Sequence, residues 1–167
     1  MATHASWLGD IFDPKRLNIC AREIARQIRC DTKTMRIDCI AVRGVSGISM
    51  GAVVSALTGI PLIIVRHTKG THTDNLVEEP EFETLYSVQN YVIIDEFICS
   101  GETIHRIQED IKNEAELDYM LRKIYLYKGQ KEDFSGCADP ITVPVYSFHL
   151  EGSDNRISKT KIDKRWR

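Results

Sequence analysis

The sequence predicts an α/β domain, a mostly parallel central sheet flanked by helices, and three observations carry that expectation. Short β-branched apolar runs recur along the chain, and helical patterns fall between them. The runs are continuously apolar rather than alternating, as strands covered on both faces require. The 167 residues, 43% hydrophobic and 28% charged, suit one domain (1–167) with its own core and are too few for two.

The elements follow in order. Asp13-Pro14 is a cap and first-turn proline, opening a helix whose Leu17, Ile24, Ala25 and Ile28 share one face through about Arg29. "RIDCIAV", 36–42, is short and β-branched and predicts a buried strand. "RGVSGISMGAVVSALTG", 43–59, then supplies a glycine-rich turn and a helix of small residues, Ala52 to Leu57, closed by Gly59. "IPLIIVRH", 60–67, predicts the next strand, and the polar stretch 68–89 predicts a long functional loop with a short hairpin near 82–87. A strand at 91–95, a helix from 102 to about 114, and strands at 121–129 and 141–150 complete the order. Ligands of such sheets sit outside the carboxyl ends of the strands, where the turns after Val42, Val65 and Asp95 gather.

A formal net charge of −2 and a pI near 6.2 supply no global attraction for nucleic acid or an anionic membrane. Five widely spaced cysteines, Cys20, Cys30, Cys39, Cys99 and Cys137, contain no Cys-x-x-Cys pair and suit a reduced, cytoplasmic protein. The first residues have neither a basic start nor an unbroken apolar stretch, and no run reaches membrane-spanning length, so neither a signal peptide nor a membrane partner is expected.

The stretch "YVIIDEFICSGETIHRI", 91–107, concentrates the chemistry. Its strand ends in Asp95 and Glu96, and a helix starts just after Ser100-Gly101. The backbone N–H groups of Gly101, Glu102 and Thr103 are then first-turn donors without helical partners. With the helix dipole and the Ser100 and Thr103 hydroxyls they form a phosphate cradle. Carboxylates cannot bind that phosphate but suit ribose hydroxyls, or a magnesium ion shared with the ligand. A sugar phosphate fits both halves. Taken singly, each of these residues is as well explained as a solvated acid or a helix cap.

"VIIDEFICSGETI" resembles the phosphoribosyl-pyrophosphate signature of the type I phosphoribosyltransferases, and a looser likeness extends over about 37–128. The resemblance implies that Asp95 and Glu96 hold the ribose 2′ and 3′ hydroxyls, directly or through magnesium, and that Cys99, Ser100, Gly101, Glu102 and Thr103 wrap the 5-phosphate. Arg43 and Gly44 match the pyrophosphate loop and Arg66 the arginine after the second strand. Segment 67–88 matches the flexible loop that closes over the reacting centre, with Lys69, His67 and His72 as its cations. The implied activity is transfer of 5-phosphoribose from phosphoribosyl pyrophosphate to a nucleobase with release of pyrophosphate, in nucleotide salvage. Closure and charge stabilisation would supply most of the catalysis. The family also builds a small hood over the acceptor, for which 1–35 and 130–167 are the candidates around a core of about 36–150, and it leaves room for a homodimer. Trp7, Tyr146 and Phe148 are the rings available to stack on an acceptor.

Two alternatives stand beside this expectation. Gly47-Ile48-Ser49-Met50-Gly51 fits the Gly-x-Ser-x-Gly nucleophile elbow, and with Asp133 or Asp139 and then His149 it reproduces the residue order of an α/β serine hydrolase. The second is a non-catalytic regulator of the same fold that senses phosphoribosyl pyrophosphate or nucleotides. Its tail, 153–167, carries Arg156, Lys159, Lys161, Lys164, Arg165 and Arg167 and leaves RNA contact open, although a frayed solvated terminus accounts for it more simply.

Overall fold

Asp13 opens the long N-terminal helix as its residue type dictates. Its carboxylate accepts the backbone N–H groups of Lys15 at 2.9 Å and Arg16 at 3.4 Å, with Pro14 in the first turn. Such a cap is worth about 1 kcal/mol. The computed structural model describes residues 9–69, 74–81, 88–98, 101–128 and 142–159. In chain order these form α1 (Gly9–Phe12), α2 (Pro14–Asp31), β1 (Cys39–Arg43), α3 (Gly44–Thr58), β2 (Leu62–Val65) and β3 (Val77–Glu78). Then come β4 (Gln89–Asp95), α4 (Glu102–Glu114), β5 (Tyr119–Leu126), β6 (Val145–Glu151) and β7 (Arg156–Lys159).

The strands lie in the order β3-β2-β1-β4-β5-β6-β7. The five inner strands pair in parallel, and β3 and β7 are antiparallel edges. Helices α2 and α3 cover one face, where Ile24, Ile28, Met50 and Val54 meet Val42, Ile94 and Tyr125. The opposite face is covered by α4, whose Ile104, Ile107 and Ile111 recur at helical spacing and pack on Ala41, Ile63 and Ile93. Each isoleucine fully buried this way contributes about 1.5–3 kcal/mol. No helix among the described residues is long and apolar enough to cross a membrane.

The structure departs from the sequence expectations at several places. Helix α3 begins at Gly44, immediately after β1, rather than near Ala52. Gly47 and Gly51 therefore lie inside the helix, on the side that rests on the sheet. A Cβ on Gly51 would stand 2.5 Å from Val42 Cγ1, and one on Gly47 would stand 3.3 Å from the Ile94 carbonyl oxygen. The glycines of the Gly-x-Ser-x-Gly pattern let a helix approach two strands closely, and Ser49 sits on no strand-to-helix elbow. Asp133 and Asp139 lie outside the described residues.

Segment 67–88, expected as one polar loop, contains a short strand. Val77–Glu78 returns as β3, in register Ile64↔Glu78 and Val65↔Val77, and the Leu76 carbonyl accepts the Arg66 N–H at 2.8 Å. Glu79 is then held at the far end of the sheet, accepting the Glu116 N–H at 2.6 Å and the Tyr119 hydroxyl at 2.8 Å. The hairpin expected near 82–87 lies outside the described residues.

Residues 156–159 are not frayed. They pair antiparallel with β6, and the turn between the strands is anchored where Arg16 Nη1 donates to Asn155 Oδ1 at 2.7 Å. Pro14–Asp31, which falls within the candidate hood region 1–35, packs on the sheet as its apolar face requires. Phe148 is fully buried, and Tyr146 donates its hydroxyl to Glu23 of α2, so both rings belong to the packing between α2 and β6. Trp7 and 129–141 lie outside the described residues.

Candidate active site

Strand order places the site. From β1 the chain crosses to β2 through α3 on one face. From β4 it crosses to β5 on the opposite side through α4 on the other face. The two adjacent strands thus send their connections apart, which opens a crevice at their carboxyl ends. A cleft of about 470 Å³ lies there, bounded by Arg43–Ser46, Asp95–Ile98, Gly101–Ile104 and His67.

Asp95 ends β4 and alternates onto the α4 face with Tyr91 and Ile93, which leaves it 7% exposed. Burial pushes its carboxyl up to about 7. The Glu96 N–H, which donates to Asp95 Oδ1 at 2.8 Å, pulls the other way, and the neighbouring Glu96 charge adds to the push. The turn is fixed from just beyond β5, where the Lys128 N–H donates to the Glu96 carbonyl at 2.8 Å. A buried carboxylate with this character suits a cation or hydroxyl donors from a ligand. Among the described residues no group of three or more His, Cys, Asp or Glu side chains converges to hold a metal. Magnesium at Asp95 and Glu96 would therefore need ligand oxygens as well, which is the shared arrangement that the acid pair suggests.

Gly101 turns the chain into α4 with φ +78, a conformation that would strain any residue with a Cβ, and its carbonyl accepts the His105 N–H at 2.9 Å. Glu102 and Thr103 are exposed at this first turn and border the cleft. Cys99 and Ser100 lie outside the described residues. A second helix start faces the same cleft. Gly44 has φ +70, and Arg43, the capping residue of α3, makes no side-chain cap bond. The first-turn N–H groups of α3 thus open on the cleft opposite those of α4.

The basic residues named from the sequence are distributed unevenly. Cys39, Ala41 and Arg43 alternate onto the α4 face, and the Arg43 guanidinium is hydrogen-bonded to the Asp110 carboxylate with its side chain only 9% exposed. Arg66 pairs with Glu78 across the β2–β3 hairpin at 2.9 Å. Lys69 is exposed and does not line the cleft, and His72 lies outside the described residues. His67 lines it, as Arg43 does, with Nε2 facing the Gly44 Cα.

Sequence reasoning missed Asp110, Tyr127 and Phe97. Asp110 is a polar position on a helix that reads as solvent-facing, and only the direction of Arg43 across the sheet reveals it. Tyr127 is buried beneath the cleft and donates to the Ser46 carbonyl at 3.4 Å, supporting the first turn of α3. Phe97 follows the acid pair directly and forms part of the wall.

No protein-family model matches the chain, and no curated protein matches its sequence. Solved structures do match its fold. An adenine phosphoribosyltransferase from Thermoanaerobacter pseudethanolicus aligns with 84% of this chain and 83% of its own at 19% identity and a TM-score of 0.62. An adenine phosphoribosyltransferase from Trypanosoma brucei, in complex with AMP, pyrophosphate and ribose-5-phosphate, aligns with 95% of this chain and 78% of its own at 14% identity and a TM-score of 0.61. An orotate phosphoribosyltransferase from Francisella tularensis covers 81% of this chain and 66% of its own at 14% identity and a TM-score of 0.57. At these identities the likeness is one of fold: the chain has the architecture of the phosphoribosyltransferases.

Proposed function

We propose that this protein binds phosphoribosyl pyrophosphate with magnesium and transfers its 5-phosphoribose to a nucleobase, releasing pyrophosphate. The observation that carries the reading is the convergence of an acid pair, buried Asp95 and half-buried Glu96, with the starts of two helices in one cleft. Phosphoribosyl pyrophosphate has a matching layout, with an anion at each end of a ribose diol. The first turn of α4 suits the 5-phosphate and that of α3 the pyrophosphate. The acids suit the ribose hydroxyls between them. Magnesium, when bound, would draw charge from the departing pyrophosphate.

In this reading the bond from C1 of the ribose to pyrophosphate breaks, the nucleobase nitrogen takes up C1, and that nitrogen gives up its proton. Positive charge grows on the sugar ring, near the Asp95 and Glu96 carboxylates. His67, facing Gly44, is the described side chain best placed to meet the leaving pyrophosphate, and Lys69 would have to move inward to join it. The fold neighbours support the reading, because the Trypanosoma enzyme carries AMP, pyrophosphate and ribose-5-phosphate.

One observation favours a binding protein without turnover. Arg43 and Arg66, the arginines matched to the pyrophosphate site, are both engaged by carboxylates, Asp110 and Glu78. Incubation with phosphoribosyl pyrophosphate, magnesium and a panel of nucleobases, followed by assay of pyrophosphate and nucleotide, separates the two readings. Product with any base supports the transferase. Binding without product supports the sensor. If Asp95→Asn combined with Glu96→Gln binds the ligand as tightly as the parent protein, the role given to the acids is wrong.

A further inference from the structure

Charge is divided across the sheet in a way the net charge conceals. On α2 the exposed positions besides Pro14 and Cys30 are Lys15, Asn18, Arg22, Arg26 and Arg29, and Lys33 continues the same stripe just beyond the helix end. They recur at three- and four-residue spacing, so they form one line along an 18-residue helix about 27 Å long. Arg26 is neutralised by Glu23 at 2.7 Å. Arg29 donates to the Leu57 carbonyl and keeps its charge, and Arg22 lies along the stripe on Asn18. Among the described residues no carboxylate pairs with Lys15, Arg22, Arg29 or Lys33. Across the sheet, α4 and the segments beside it expose six carboxylates, Asp74, Glu81, Glu102, Glu109, Glu116 and Asp118, against the cations Arg106 and Lys112 of α4.

We infer that the outer face of α2 is a binding surface for the phosphodiester backbone of a nucleic acid. A line of cations held on a rigid helix neutralises successive phosphates without needing base contacts. The acidic face opposite would repel the same polyanion and restrict binding to one side. A protein partner calls for apolar or aromatic anchors, and none of the exposed large hydrophobics, Phe12, Val45, Met120 and Ile157, lies on α2. A membrane surface calls for a second, apolar signal that this stripe lacks. The inference does not depend on the function proposed for the cleft.

The test is fluorescence anisotropy of the full chain with a labelled, mixed-sequence DNA duplex, between about 50 and about 200 mM salt. With four cations engaged, log K should fall against log salt with a slope of about −3 to −4. Arg22→Glu with Lys33→Glu should weaken binding at least about tenfold and flatten the slope by about two, because two phosphate contacts are removed. Arg106→Glu with Lys112→Glu, on α4, should leave binding unchanged. All four positions are exposed, so equal thermal melts will show that both variants fold. Absence of binding at low salt, salt-insensitive binding, or equal loss in the α4 variant overturns the inference. Capture on phosphatidylserine vesicles, or self-association, that the α2 variant abolishes while the duplex goes unbound overturns it too.

Discussion

The Arg43 guanidinium is bonded to the Asp110 carboxylate, which ties the carboxyl end of β1 to the middle of α4. The arginine that sequence assigns to an anion thus lines the cleft while its guanidinium is already bonded to a carboxylate. Alternation along β1 dictates this, since Cys39 and Ala41 share its face. A strut and a ligand differ in a double-mutant cycle on phosphoribosyl pyrophosphate affinity. If Arg43 acts through Asp110, then Arg43→Met, Asp110→Asn and the double variant should weaken binding to a similar degree. Each should also lose about 1.5–3 kcal/mol of stability, the range for a hydrogen bond to a charged group. A much larger affinity loss in Arg43→Met than in Asp110→Asn would instead place the guanidinium on the ligand.

Gly51→Ala should destabilise the protein by about 1–3 kcal/mol, because its methyl group would stand 2.5 Å from Val42 Cγ1 and must push α3 off the sheet. Val42→Ala in the same chain should restore part of the loss by vacating that space. Ser49→Ala should change neither stability nor ligand binding appreciably. An ester hydrolysis activity that Ser49→Ala abolishes would revive the hydrolase alternative.

Local signals were enough for part of this molecule. The Asp13-Pro14 cap, the acid pair at the end of β4 and the start of α4 at Glu102 are each written within a few adjacent residues, and the structure has all three. The illegible features are set by distant partners. β3 is two residues long and exists because Val65 and Ile64 offer an edge, and β7 reads as a basic tail until Phe148 and Leu150 pair with it. α3 starts early because Gly47 and Gly51 serve packing on Val42 and Ile94, whereas in sequence a run of glycines suggests a turn. Within the site the backbone positions were legible, but the directions of Arg43 and Arg66 were not, because Asp110 and Glu78 come from other elements.

Glu79 latches the return of the β2–β3 hairpin to the start of β5. Its carboxylate takes both the Glu116 N–H and the Tyr119 hydroxyl, and the Glu114 carboxylate takes the Leu76 N–H at 2.7 Å. Glu79→Ala removes two hydrogen bonds to a charged acceptor, each worth about 1.5–3 kcal/mol where burial protects it. The Glu116 contact is exposed and belongs at or below the lower end of that range. Amide exchange in 74–81 should accelerate at least about tenfold, since 1.4 kcal/mol is a tenfold change in an opening equilibrium. Exchange in the inner strand β4 should change little. Equal acceleration in both regions would mean that Glu79 supports the whole fold and not this segment.

Asp95 makes stability and ligand affinity depend on pH in opposite senses. Its folded pKa of about 7 lies above the unfolded value of about 3.9, so between those pH values the folded state holds the proton that the unfolded state has released. The stability this contributes is complete below about pH 4 and is lost as pH rises through about 7. Asp95→Asn carries no such titration, so it should gain on the parent protein by up to about 4 kcal/mol from pH 4 to pH 8, as three pKa units imply. Thermal or urea melts across that range measure the difference. Affinity for phosphoribosyl pyrophosphate with magnesium should move the other way, tightening as Asp95 ionises and ceasing to depend on pH near 7 in Asp95→Asn. A parent protein whose melting profile parallels that of Asp95→Asn from pH 4 to 8 would show that the buried carboxyl titrates normally, and both expectations would fall together.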